Sequence, residues 1–208
     1  MATRNGMWFK KTTSQTINEA QWWNEKTVRR QGGYDFDKSN IPAEVRWIPK
    51  GTFLKLDKTT GKVKVLKTAE VTAVAEAEAK TIKVKDNGIL MVGDVLNGST
   101  ITKIVVAEGI ATLTVDKVNV KLNVGDVISD LADENEVALG FQYETNDLRD
   151  NDYPQATPTL VAMEIEKDTL PLPISDKLIE ALNKPGIGIL TRFTNHSTNI
   201  FTINHNLN

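Results

Sequence analysis

The chain has 208 residues, 40% of them hydrophobic and 25% charged, with a formal net charge of −2 and no cysteine. That is an ordinary globular composition, long enough to bury a core, and it excludes disulfides, thiolate metal sites and cysteine nucleophiles. The slight acidity argues against a nucleic-acid partner, which calls for surplus cationic charge. No apolar run nears the ~20 residues that span a bilayer, and the opening MATRNGMWFKKTTSQ lacks the apolar stretch of a signal peptide.

Residues 1–47 hold all four tryptophans (Trp8, Trp22, Trp23, Trp47) with Phe9, Tyr34 and Phe36, and carry eight Lys/Arg against five Asp/Glu. The rest of the chain is therefore acidic. Periodicity here is weak: Thr16 to about Val28 reads as a helix, with Thr16 and Glu19 spaced as a capping box. Gly32-Gly33 and Asn40-Ile41-Pro42 break anything longer. Two readings fit an aromatic, weakly periodic stretch. It is an irregular segment packed on its own domain, or an extended arm whose large side chains anchor a partner.

From Ile48 the pattern becomes β. Leu54 and Leu56 alternate before Lys-Thr-Thr-Gly, and Val63 and Val65 after it, which predicts a hairpin turning at Gly61. Thr68 to Lys80 is rich in Ala and Glu and reads as a short helix or as a weakly marked strand and linker; Val71, Thr72 and Val74 disfavour the helix, so the linker reading is expected.

Next comes an internal repeat. Residues 81–96 read TIKVKDNGILMVGDVL and residues 112–128 read TLTVDKVNVKLNVGDVI, with Val-Gly-Asp-Val tetrads at 92 and 124. In each, the Gly permits a tight bend, the Asp can bond nearby amides, and Val-[Leu/Ile] starts another strand. Two such units predict a small pseudo-symmetric β-barrel or sandwich over about 70–130.

Beyond it, Val137, Leu139, Phe141 and Tyr143 alternate as a half-buried strand. An acidic loop follows, with Glu144, Asp147, Asp150 and Asp152, and then a strand over Leu160 to Ile165. Pro171 and Pro173 bracket a turn before a short amphipathic helix, capped by Ser175 or Asp176, with Ile174, Leu178, Ile179 and Leu182 on one face. Ile187 to Phe193 is the last strand, and 196–208 a polar tail.

Little in the sequence points to catalysis. Both histidines, His196 and His205, fall in the tail, where a preorganised acid–base site is not expected. There is no P-loop, nucleophile elbow, His-Glu-x-x-His or dinucleotide fingerprint. The acidic loop departs from the Ca²⁺-loop spacing, and a solvated loop is the default. No catalytic residue, cofactor or metal is expected.

The order of features over 137–193 is similar to the C-terminal part of head-decoration proteins of tailed bacteriophages. A Gly-x-x-x-Glu strand (Gly140 to Glu144) leads to the acidic loop. A hydrophobic strand follows, then Leu170-Pro171, the helix and a closing Gly-Ile strand (Gly186 to Phe193). The hairpin IPKGTFLKLDKTTGKVKVL resembles that family's opening strands, and the Val-Gly-Asp-Val repeats resemble a segment of phage head-fibre proteins. The resemblance implies a non-enzymatic, β-rich virion protein, often trimeric, on the capsid exterior. It would be assembled in the host cytoplasm, seated on the major capsid protein, and have no nucleic-acid or membrane partner.

On this reading the chain is mainly β, with small barrel or sandwich domains and one short C-terminal helix. Residues 1–47 are an extended capsid-binding arm, docking through Trp8, Phe9, Trp22, Trp23, Arg29 and Arg30. Residues 48–67 plus 131–195 form the decoration-type domain, 68–130 the inserted repeat domain, and 196–208 the tail. Two alternatives remain: a different phage structural or carbohydrate-binding module (tail, baseplate or adhesin), and a small β-barrel enzyme.

Overall fold

The computed structural model describes residues 19–22, 24–30, 33–131, 136–148, 154–182, 190–194 and 201–202, with 182, 190–194 and 201–202 described by backbone alone. The protein is mainly β, with a single short α-helix among these residues. Strands β1 (Val28–Arg29), β2 (Tyr34–Asp35) and β3 (Trp47–Ile48) are two residues each, and β4 (Phe53–Asp57) and β5 (Val63–Val65) form the predicted hairpin. The repeat segment supplies β6 (Thr68–Glu70), β7 (Thr81–Lys85), β8 (Val95–Leu96), β9 (Ser99–Ala107), β10 (Ile110–Val115) and β11 (Val127–Ser129). The chain continues through β12 (Glu136–Phe141), β13 (Asn146–Asp147), β14 (Gln155–Ala156), β15 (Thr159–Glu166), α1 (Asp176–Leu182), β16 (Leu190–Thr194) and β17 (Phe201–Thr202). No helix among the described residues is long and apolar enough to cross a membrane.

The hairpin forms as its alternation requires: Leu54 pairs with Val65 and Leu56 with Val63. Its turn is held by Asp57, whose carboxylate accepts the Thr59 and Thr60 N–H groups at 2.8 and 3.2 Å. Those bonds hold the Asp57 carboxyl down at about 2. Strand β12 pairs with β4 on the other side, giving the order β12-β4-β5. This sheet is buried on both faces. Phe53 packs with Phe141, ring centroids 5.2 Å apart, in a core that includes Leu66, Ile165, Leu178 and Ile179. Leu54 faces a second core with Val63, Val65, Ile48 and Leu139.

Residues 19–47, the described part of the expected arm, are laced into this body. Strand β1 pairs with β15, β2 with β14 and β3 with β13. Ala20 and Trp22 sit in the first core and Phe36 and Ile41 in the second. The expected helix to Val28 gives way to a 3₁₀ turn over Asn24–Lys26 and strand β1, while Thr16 lies outside the described residues. Pairing to partners more than a hundred residues away overrides the local pattern here.

The repeat segment has its own core, drawn from Ala69 to Ile128. Its strands run β7-β10-β9-β8, with β6-β11 joined to β7 through the Val71–Val84 bridge. Read across, the order β8-β9-β10-β7-β6-β11 is symmetric about the β10/β7 contact: the first strands of the two repeat units pair with each other, and their last strands, β8 and β11, pair with β9 and β6. The curled sheet meets its own ends where Asn97 N–H donates to Ser129 O at 2.8 Å, making a half-barrel. The tetrads match atom for atom. Gly93 N–H bonds Ile101 O while Gly125 N–H bonds Val71 O, both at 2.8 Å. Asp94 accepts Met91 N–H and Asp126 accepts Asn123 N–H, both at 2.7 Å. Both glycines lie at left-handed φ, +98° and +88°, so the tetrad is a turn device, as its chemistry predicts. The segment over 68–80 begins as strand β6, which is paired with β11 and has Ala69 fully buried.

Strand β12 departs from the predicted alternation. Leu139 is an extra residue between Ala138, opposite Lys55, and Gly140, opposite Leu54. This bulge turns Leu139 to one core and Phe141 to the other. Helix α1 forms as expected, with Ser175 Oγ accepting Leu178 N–H at 3.3 Å and Leu178 and Ile179 buried. Strand β16, in the span expected for the last strand, runs parallel to β15, and β17, within the expected tail, pairs antiparallel with β16.

Candidate functional site

Of the six expected capsid-interface residues, Trp8, Phe9 and Trp23 lie outside the described residues. Trp22 is only 8% exposed, 6.2 Å from the Tyr143 ring, with Lys50 Nζ 4.5 Å above its face. It serves its own core, which corrects its expected role as an exposed anchor: the body needs a large apolar side chain where Phe53, Phe141 and Ala162 converge. Arg29 is exposed on β1, and Arg30 is half-buried with its N–H on Pro158 O at 2.8 Å. The structure therefore does not gather the described members into one face.

In the acidic loop, Asp150 and Asp152 lie outside the described residues, Glu144 is exposed, and Asp147 is paired with Arg46 at 3.4 Å. Among the described residues no group of three or more His, Cys, Asp or Glu is placed to hold a metal ion. Arg46 belongs to a cleft of about 520 Å³ where the half-barrel meets the body, walled by Val45, Trp47, Ile48, Ile89 and Leu172. Its guanidinium lies 4.3 Å over the Trp47 ring, a cation–π arrangement. The cleft offers a largely apolar wall with Glu44 and Arg46 among its lining, which suits binding.

The densest charge chemistry is structural, and the sequence gives no sign of it. Lys67 is fully buried, its ammonium 2.7 Å from both oxygens of Asp94, the acid of the first tetrad. Its backbone N–H donates to Asp130 Oδ1 at 2.9 Å. Asp130 in turn faces Lys55 Nζ at 3.0 Å, and Lys55 reaches Glu136 at 2.6 Å. These ion pairs, linked through the Lys67 N–H, run from the half-barrel past the ends of β6 and β11 into β4 and β12.

They carry three carboxylates against two ammonium groups, one negative charge in excess. Burial, with Glu136 adding like charge, outweighs Lys55 and pushes the Asp130 carboxyl up to about 6. The folded state therefore holds a proton that the unfolded chain, titrating near 3.8, has released. The stability this group contributes is full below its unfolded value, declines as pH rises toward about 6, and is absent above it, a span of about 3 kcal/mol. Relative to Asp130→Asn, the wild type should lose stability in urea melts between pH values of about 4 and 7. A pH-independent difference between the two would refute the assignment.

Apart from Val28 on β1, the large exposed aliphatic side chains among the described residues lie on the half-barrel: Val74, Val92, Val95, Val105, Val106, Ile110, Val120 and Val124 are all more than a third exposed. The repeat segment over 68–130 contains no aromatic residue. Compared with known proteins, the chain matches no family model, no curated protein and no solved structure.

Proposed function

We propose that this chain is a non-enzymatic structural protein of a tailed-phage virion, seated on the outside of the capsid as a head-decoration or head-fibre protein. The observation that carries the reading is the order of sequence features from Gly140 to Phe193, which resembles the C-terminal part of that family. A β-rich body is what the resemblance implies; residues 1–47 and the inserted repeat depart from a minimal decoration protein. The partner is the major capsid protein, the expected assembly a homotrimer, and the location the virion exterior after assembly in the host cytoplasm.

Because Ala20, Trp22 and Phe36 are core residues, truncation through residue 40 would test folding as much as docking. Deleting residues 1–18 removes Trp8 and Phe9 and spares the described body. The full chain should co-sediment with empty shells of the matching major capsid protein, and the truncated chain should bind at least about tenfold more weakly, the loss of one or two aromatic anchors. A full chain that ignores shells would sink the reading. Unchanged binding by the truncation would sink the docking role of residues 1–18 alone.

A carbohydrate-binding tail or baseplate module is the second reading. It draws on Trp47, half-buried in the cleft wall, and predicts glycan binding without any capsid.

A further inference from the structure

Strands β9 and β10 are joined by Glu108-Gly109, both left-handed at φ +52° and +76°. This is the two-residue turn that suits the twist of a hairpin. The flanking pair Ala107–Ile110 exchanges both backbone bonds in such a turn, so by alternation Lys103 and Val105 also bond inward to β10. Ile104 and Val106 then present their N–H and C=O groups to the outer edge. Strand β8 covers that edge only at Ser99 and Thr100, and the first tetrad covers it at Ile101, through Ile101 N–H to Asp94 O and Gly93 N–H to Ile101 O. Beyond Ile101, no strand among the described residues pairs with it.

Open edges are normally blunted by charge, proline or a bulge. Ile104-Val105-Val106-Ala107 carries no charge or proline, and the register shift of β9 falls before it, between the pairs at Ile101 and Lys103. Val105 and Val106 are 49% and 52% exposed on opposite faces of the strand. Val106 stands in one cross-strand row with the buried Val84 and Ala111, so the core-side row runs out into solvent at this strand.

We propose that this edge pairs with the same edge of a second copy, antiparallel about a two-fold axis at Val105. That register sets Val105 against Val105 and Ile104 against Val106, and it lets Ile104 and Val106 exchange both backbone bonds on each side of the axis. Glu108 of one copy comes to lie opposite Thr102 and beside Lys103 of the other, so the charges at the two ends of the strand complement each other. The neighbouring two-fold registers fail. One opposes Ile104 to Glu108; the other opposes Val106 to Thr102, the residue at the register shift of β9. Pairing of this kind is separate from the trimer expected above, because a three-fold axis cannot bring one edge against itself.

The absence of cysteine makes the register directly testable. A Val105→Cys pair would be non-hydrogen-bonded, with Cα atoms about 4.5 Å apart, inside the disulfide range. Under mild oxidation Val105→Cys should form a disulfide-linked dimer about tenfold faster than Val106→Cys or Thr112→Cys, whose copies are out of bonding geometry. The unmodified chain should show concentration-dependent association in sedimentation equilibrium that Val105→Lys abolishes, with the circular dichroism spectrum unchanged. Three results overturn the proposal: equal cross-linking at all three positions, association that survives Val105→Lys, or a chain that does not self-associate through this edge but pairs it with an added β-forming peptide.

Discussion

Asp94→Ala lowers the free energy of unfolding by about 3–5 kcal/mol, the cost of leaving a buried ammonium without its counter-ion. The ammonium is that of Lys67, fully buried and held by both Asp94 oxygens at 2.7 Å. The same substitution at Asp126 serves as an internal control. Asp126 fills the equivalent place in the second tetrad and makes the same turn bond, to Asn123 N–H at 2.7 Å, but among the described residues no lysine stands against it. Its loss should cost about 1 kcal/mol, the net worth of one hydrogen bond. Urea midpoints with matched slopes measure both. Combining Asp94→Ala with Lys67→Met should recover most of the loss, because an apolar side chain of similar length is tolerated where an unpaired charge is not. Equal losses at Asp94 and Asp126 would show that the ion pair adds nothing to the turn.

Gly140→Ala should be nearly as severe. At φ +134° an alanine is strained, and its Cβ would stand 2.5 Å from the carbonyl oxygen of Thr159, backbone that cannot swing aside. A cost of about 3 kcal/mol lowers the melting temperature by about 6–12 °C for a chain of this size. Gly61 sets the scale for conformation alone: its φ is +69°, but a Cβ there meets nothing within 4 Å. Gly61→Ala should cost about 1 kcal/mol. Calorimetric scans of the two variants separate contact from conformation. A Gly140→Ala chain melting no lower than Gly61→Ala would mean that the bulge relaxes freely.

What the sequence discloses follows the range of the interactions. The β4–β5 hairpin is legible because its pairing, its turn glycine and its alternating Leu and Val lie within a dozen residues. The tetrads are legible as turns because Gly and Asp carry their own local chemistry, and α1 because Ser175 caps a short amphipathic run. Where the partner is distant, the reading fails. Trp22 and Phe36 look like arm residues until β15, β14 and the second half of the chain are brought beside them. Leu139 spoils a clean alternation because the bulge at Gly140 answers to Thr159, on another strand. Lys67 reads as one more surface lysine, since nothing in a hydrophobic pattern marks a buried cation whose acid stands 27 residues away. The exposed valines of β9 are visible as letters, but their exposure depends on where β8 stops.

The doorway of the half-barrel bears on the order in which the chain can assemble. Lys67 and Asp130 are bonded to each other in both directions, Lys67 N–H to the Asp130 side chain and Asp130 N–H to Lys67 O at 3.0 Å. Strands β4 and β12, which must find each other to build the body, are separated along the chain by the whole inserted segment. Closing so long a loop directly is slow, because its entropy is lost before the contacts that reward it are made. A half-barrel that forms first, from residues contiguous in sequence, delivers both ends of that loop to one place. Seen from β4, the way to β12 then shortens from about eighty residues, Asp57 to Glu136, to the short stretches that flank the doorway. The insertion acts less as an interruption of the body than as the clasp that lets it close.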